Sequence, residues 1–192
     1  MKMERKEVIF LKGKKTILRP LNKETDLQSC LRWINDQEVI QYISVYLPSS
    51  KQDEEKWFDN LQKRKEDVVL GIETLDNAFI GITGLHNINW KDRTAVHGVL
   101  IGEKKYWGRG YGTDANMVLL NYAFNTLNLR KICSSVIVFN ERSINYHATC
   151  GYQIEGTRRR QVYKKGKYWD VIFLGVFKEE WLLASGKYQK KK

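Results

Sequence analysis

Proline, cysteine and acidic residues are all scarce in this chain, and each shortage closes off a class of protein. With two prolines, no internal repeat and no low-complexity stretch, nothing reads as a linker, so residues 1–192 are expected to form a single domain. The three cysteines, Cys30, Cys133 and Cys150, cannot all pair and lack metal-ligand spacing. Reduced, mostly buried thiols and no metal site are expected. No apolar run approaches the length of a membrane span, and the first residues are charged instead of forming a signal peptide. A cytoplasmic protein with no membrane partner is the expectation. Acidic residues number 22 against 33 lysines and arginines, for a net charge of +11. The basic residues are dispersed, with clusters only at Arg158-Arg159-Arg160 and Lys190-Lys191-Lys192. That dispersion argues against a nucleic-acid partner.

Apolar residues make up 42% of the chain, enough for a sizeable core. The most informative segment runs Val99-Leu100-Ile101-Gly102-Glu103-Lys104-Lys105-Tyr106-Trp107-Gly108-Arg109-Gly110-Tyr111-Gly112-Thr113. It reads as a strand, a glycine-studded turn and the start of an amphipathic helix, whose buried face is Ala115, Val118, Leu119, Tyr122 and Ala123. Glycines let several amide N–H groups converge on one anion at the positive end of the helix dipole, so the turn is suited to phosphate. Gly112-Thr113-Asp114 excludes a P-loop, which needs Gly-Lys-Ser/Thr. Thr113 in place of a third glycine, and Phe139-Asn140 in place of an acidic residue, argue against a dinucleotide fold.

Trp107-Gly108-Arg109-Gly110-Tyr111-Gly112 resembles the Gln/Arg-x-x-Gly-x-Gly/Ala turn of the GNAT superfamily of N-acyltransferases, with Trp107 replacing the polar first residue. Asn140-Glu141-Arg142-Ser143-Ile144-Asn145, closing at Cys150-Gly151-Tyr152, is similar to a second motif of that superfamily. Gly156 and Gly166-Lys167-Tyr168-Trp169-Asp170, with a final strand to Trp181, resemble the tail of its spermidine and ribosomal-protein N-terminal acetyltransferase branch. The resemblance implies an α/β GNAT fold, a mixed and mostly antiparallel sheet flanked by helices. It also implies acetyl-CoA as cofactor. The coenzyme A would lie along Val99, Leu100 and Ile101, on the turn formed by Trp107, Gly108, Arg109, Gly110, Tyr111, Gly112 and Thr113, and against Asn140, Ser143 and Asn145.

Patterning supplies the remaining elements. Residues 8–11 and 16–18 flank a Lys-Gly-Lys turn as a hairpin ended by Pro20. A helix capped by Asp26 follows, with Leu27, Cys30, Leu31 and Ile34 as its apolar stripe and a break at Asn35-Asp36. After Pro48, a second helix buries Trp57, Phe58 and Leu61. Strands are expected at 68–73, 79–85 and 95–101, another at 129–139, and closing strands near 153–160 and 171–177.

Acetyl transfer to an amine needs a deprotonated amine, a polarised thioester carbonyl and a proton for the leaving thiolate. Backbone amides around Val99–Ile101 can polarise the carbonyl if the strand splays from its neighbour, with Gly98 assisting a bulge. The resemblance places a leaving-group acid seven residues after Asn140 and four before Gly151, which is His147, beside Tyr146. Adjacent helix residues diverge by about 100°, so one of the two is expected to face the sulfur. The glutamate that many relatives carry as base falls on Val96. His97 should point to the opposite face of its strand, and His86 could reach the acceptor end. Acceptor candidates are Asp36, Glu38, Tyr42, Tyr46, Trp57, His86 and Asp170. The expected acceptor is the primary amine of a polyamine, amino sugar or aminoglycoside. Two alternatives stand beside it: an N-terminal acetyltransferase acting on a protein such as a ribosomal protein, and a non-catalytic acyl-CoA-binding regulatory module. Oligomeric state is left open, a homodimer included.

Overall fold

The computed structural model describes residues 9–61, 63 and 65–190. Val8, the expected start of the first strand, and Lys191 and Lys192 of the basic tail lie outside the described residues. The chain runs β1 (Leu11–Lys12), β2 (Thr16–Pro20), α1 (Lys23–Ile34), α2 (Gln37–Ile40), α3 (Lys51–Leu61), β3 (Val68–Thr74), β4 (Phe79–Asn89) and β5 (Thr94–Ile101). After the glycine turn come α4 (Tyr111–Asn125), β6 (Lys131–Ile137), α5 (Glu141–Thr149), β7 (Gln153–Lys164), β8 (Lys167–Phe177) and α6 (Lys178–Lys190). Among the described residues, eight strands form one sheet in the order β1-β2-β3-β4-β5-β6-β8-β7, parallel only between β5 and β6.

Alternation along β5 divides the core. Leu100 packs with Leu27, Trp33, Val39 and Phe58 from the first three helices, whereas Val99 and Ile101 pack with Leu119, Ala123 and Trp181 from α4 and α6. Successive strand residues project to opposite faces, so helices cover both sides of the sheet.

Three local expectations are corrected. Asn22, not Asp26, caps α1, its side chain accepting from the Glu24 N–H at 2.9 Å. Asp26 is instead buried one turn into the helix, where the Arg19 guanidinium donates to both its oxygens at 2.7 and 2.9 Å. The final strand stops at Phe177, and Trp181 belongs to α6, buried against Phe124. The switch is local: Glu180 accepts from the Phe177 N–H at 2.8 Å, and Glu179 and Glu180 complement the positive end of the helix dipole. No bulge occurs at Gly98, which pairs regularly with Gly84; the irregularity between β4 and β5 lies between His86 and Asn89.

Candidate active site

β5 and β6 pair only through Thr94–Lys131, Ala95–Ile132 and Val96–Cys133, then part. Beyond that point β5 keeps its register with β4 while β6 follows β8. The gap is a cleft of about 630 Å³ lined by the β5 segment from His97 to Ile101, by Ser134 to Ile137, by the glycine turn and by α5. Gly102 N–H donates to the Ile80 carbonyl, which makes Gly81 and Ile101 a non-hydrogen-bonded pair. By the alternation of an antiparallel ladder, the backbone groups of Val99 and Ile101 then turn away from β4 toward the gap. The Trp107 indole N–H donates to the Ile101 carbonyl at 2.6 Å, tying the strand end to the turn. Arg142 lies over that indole, 4.6 Å from its centroid, and over Tyr42 at 5.1 Å.

Gly108 and Gly110 adopt φ of +70° and +83°, and Gly110 is the N-cap of α4. The first helical bond is from Asp114 N–H to Gly110, so the amides of Tyr111, Gly112 and Thr113 have no intrahelical acceptor. A Cβ on Gly108 would meet nothing within 4 Å. This is a positive helix end with open backbone, the arrangement that fits a pyrophosphate. The Arg109 side chain is exposed, while its carbonyl accepts from Lys15 Nζ at 2.9 Å. Lys15 thus brings a charge from the β1–β2 turn to the N-terminal end of α4, a contribution hidden in the sequence because the two segments are 94 residues apart. The anchor is Asp114, buried in the first turn of α4. It accepts from the N–H groups of Lys14, Lys15 and Thr16, from the Thr16 hydroxyl and from the Tyr188 hydroxyl.

At the inner end of the cleft, Tyr146 and His147 are not alternatives. Their rings lie 4.1 Å apart, and the Tyr146 hydroxyl is 3.1 Å from His147 Nε2 and 3.5 Å from His97 Nδ1. His147 Nδ1 donates to the Ser143 carbonyl at 2.8 Å, leaving Nε2 as the acceptor for the tyrosine proton. His97 Nε2 lies 3.2 Å from the Thr83 hydroxyl. Burial pushes His147 down to about 4 and His97 well below the usual imidazole range, the charges of His147 and His86 adding to the latter. Burial also raises Tyr146 well above the usual phenol value. At neutral pH the cluster therefore consists of two uncharged imidazoles and a protonated phenol. Asn140 caps α5 by accepting from the Ser143 N–H, and it lines the cleft together with Ser143 and Asn145.

A second cavity, about 520 Å³, opens on the α1–α3 side of β5 and meets the first at Ile43, Gly98, Val99 and Leu100. Trp33, Trp57, His86, Asp53 and Glu54 are among its lining residues. Glu54 is buried, its carboxyl held above the usual range by burial with only the Ser49 hydroxyl opposing. Of the acceptor candidates, only Trp57 and His86 are here, and Tyr42 lines the first cleft. The others lie outside both cavities. Asp36 caps α2 and, with Glu38, pairs with Lys104. Asp170 accepts from the Arg160 N–H, and Tyr46 is exposed. Glu54 was missed, although it stands four residues before Phe58 on the buried face of α3.

A family model described as acetyltransferase (GNAT) domain matches residues 15–153. The spermidine N(1)-acetyltransferase of Escherichia coli strain K12 is 26% identical over 170 residues, covering 86% of this chain and 87% of that protein. An uncharacterized N-acetyltransferase, the SPbeta prophage-derived YokL of Bacillus subtilis strain 168, is 27% identical over 152 residues, covering 79% and 85%. In fold, the chain matches the crystal structure of spermidine N-acetyltransferase from Vibrio cholerae in complex with CoA and spermine. That match has a TM-score of 0.80 at 24% identity, over 87% of this chain and 98% of that one. The fold is thus shared with that structure, and this protein belongs to the GNAT family of acetyl-CoA-dependent N-acetyltransferases.

Proposed function

We propose that the chain transfers the acetyl group of acetyl-CoA to a primary amine of a small cationic molecule, a polyamine first among the candidates. The observation that carries this reading is the second cavity: it meets the first cleft at Gly98–Leu100, and the buried Glu54 lines it together with Trp33 and Trp57. A buried carboxylate attracts an ammonium group, and tryptophan faces pack on an alkyl chain. The relative named for spermidine supports the same acceptor class. Acetyl-CoA supplies the activated acetyl group. The amides of residues 108–113 hold its phosphates, with Lys15 adding charge, and the Val99 and Ile101 backbone orients its acyl end. Tyr146, backed by His147, gives the leaving thiolate its proton. The described residues act as one catalytic unit, and the free cysteines suit a reducing, cytoplasmic setting.

The reading is tested by thiol release from acetyl-CoA with spermidine, an amino sugar, an aminoglycoside and a short peptide with a free N-terminus, the product identified by mass. Turnover with the cationic small molecules supports it. Turnover with the peptide alone assigns the chain to protein N-termini, and acetyl-CoA binding with no turnover on any amine assigns it to a regulatory role. Glu54→Gln is expected to raise KM for spermidine about tenfold, the magnitude of one charge-assisted contact, with KM for acetyl-CoA unchanged. Lys15→Ala is expected to do the converse, raising KM for acetyl-CoA roughly fivefold, as fits one exposed ion pair. Steady-state kinetics with each substrate varied in turn separates the two.

A further inference from the structure

An ammonium acceptor must lose a proton before its nitrogen can attack, and Val96 cannot take one. The strand register shows what stands nearest. His86 is directly opposite Val96, and Gly84 is opposite Gly98. Opposed residues of an antiparallel pair project from the same face with their Cβ atoms about 5 Å apart, so His86 covers ground that a side chain at position 96 would reach. Its ring lies over the glycine pair: a Cβ on Gly84 would come 3.1 Å from Nε2, and one on Gly98 3.3 Å. Gly98 lines both cavities, so Nε2 stands where they meet. The other ring nitrogen faces Asp67, with Nδ1 3.5 Å from Oδ2. Asp67 is itself held, its Oδ1 accepting from the Asn87 N–H at 3.0 Å. Among the described residues, the other ionisable groups lining the same cavity are Cys30, Asp53 and Glu54, and His97 stands on the far side of β5.

We propose that His86 Nε2 is the general base on the acceptor side and that Asp67 is a positioning residue that orients the ring and stabilises its protonated form. This rests on the amine-acetyltransferase reading above. The acceptor ammonium gives one proton to Nε2. The freed lone pair forms the N–C bond to the acetyl carbonyl carbon as the C–S bond breaks. Tyr146 protonates the departing sulfur and is itself replenished by the second proton shed from the nitrogen. Nε2 releases its proton to solvent, and the sum is one amide, one free thiol and one proton. Gly98 is part of the device, since a Cβ there would press on the ring at 3.3 Å, whereas at Gly84 the Val68 carbonyl, 2.6 Å from a Cβ, already excludes a side chain.

The test compares spermidine with trifluoroethylamine, an amine largely uncharged at neutral pH, as acceptors for His86→Gln, Asp67→Asn and Asp67→Glu. His86→Gln is expected to lower kcat with spermidine roughly a hundredfold, the usual size of a general-base contribution, and with trifluoroethylamine less than about fivefold. Asp67→Asn should lose about tenfold with spermidine, with Asp67→Glu recovering most of it. Coenzyme A affinity, followed by calorimetry, should not move in any of the three. Equal losses with both amines, or no loss with spermidine, overturn the assignment while wild-type turnover leaves the transferase reading standing. If the wild-type protein acetylates neither amine, the reading beneath it fails and the assignment falls with it.

Discussion

Tyr146→Phe is expected to lower kcat about a hundredfold while leaving KM for acetyl-CoA within about twofold, as removal of a proton donor used only in the transition state should. The phenol keeps its proton because burial raises it far above neutrality, and His147 is kept uncharged by the same burial. A protonated phenol beside a neutral imidazole is an acid with a ready partner. His147 Nδ1 is committed to the Ser143 carbonyl and Nε2 carries no proton, so His147 orients the phenol as its acceptor and cannot replace it as donor. The substitution also leaves a buried Nε2 without a partner, costing about 1–3 kcal/mol of stability, so thermal melts must accompany the kinetics. A Tyr146→Phe protein that folds and turns over at the wild-type rate would remove Tyr146 from the chemistry. His147→Gln, which can still accept from the tyrosine, should retain more activity than Tyr146→Phe.

Asp114→Ala should cost about 3–5 kcal/mol, read as a lower midpoint in urea. The estimate follows from what the alanine would abandon: three backbone N–H groups of the β1–β2 turn, the Thr16 hydroxyl and the Tyr188 hydroxyl, all aimed at one carboxylate. Thr16 is fully buried, so water cannot replace the lost acceptor there. A Cβ on Gly13 would come 2.2 Å from Asp114 Oδ2, which shows how closely the turn wraps the carboxylate. Tyr188→Phe removes one of the five bonds and should cost only about 1 kcal/mol. Because Asp114 also fixes the backbone that presents Lys15, any folded Asp114→Ala protein should bind coenzyme A more weakly than Lys15→Ala does. Equal stability of Asp114→Ala and wild type would show that the hairpin, α4 and α6 are held by packing alone.

The parts of this site that local chemistry dictates were legible in the sequence. Glycines at 108 and 110 need positive φ, and Asn140 caps a helix, so the backbone of both motifs is dictated by a few neighbouring residues. The parts built by tertiary contact were not. Asp114 reads locally as an acidic residue complementing a helix dipole, and its hairpin partners lie about a hundred positions away. Asp36 and Glu38 look like acceptor-binding acids until Lys104 is brought against them. Tyr146 and His147 diverge at the backbone as helix geometry requires, yet their side chains reorient so that their polar atoms meet. The final helix was missed for a different reason. Lys-Glu-Glu-Trp-Leu-Leu after Phe177 carries an adequate helix-start signal, which the strand to Trp181 implied by the resemblance does not take into account.

On the proposed reading, the gap between β5 and β6 seats acetyl-CoA with its reactive end facing the second cavity. The most direct measurement is a crystal structure of the protein with coenzyme A and spermidine. The account predicts phosphates on the amides of residues 108–113 beside Lys15, the thiol end between Gly98 and Tyr146, and the polyamine in the cavity holding His86 and Glu54. Coenzyme A bound away from the split strands, or spermidine bound only outside that cavity, would contradict it.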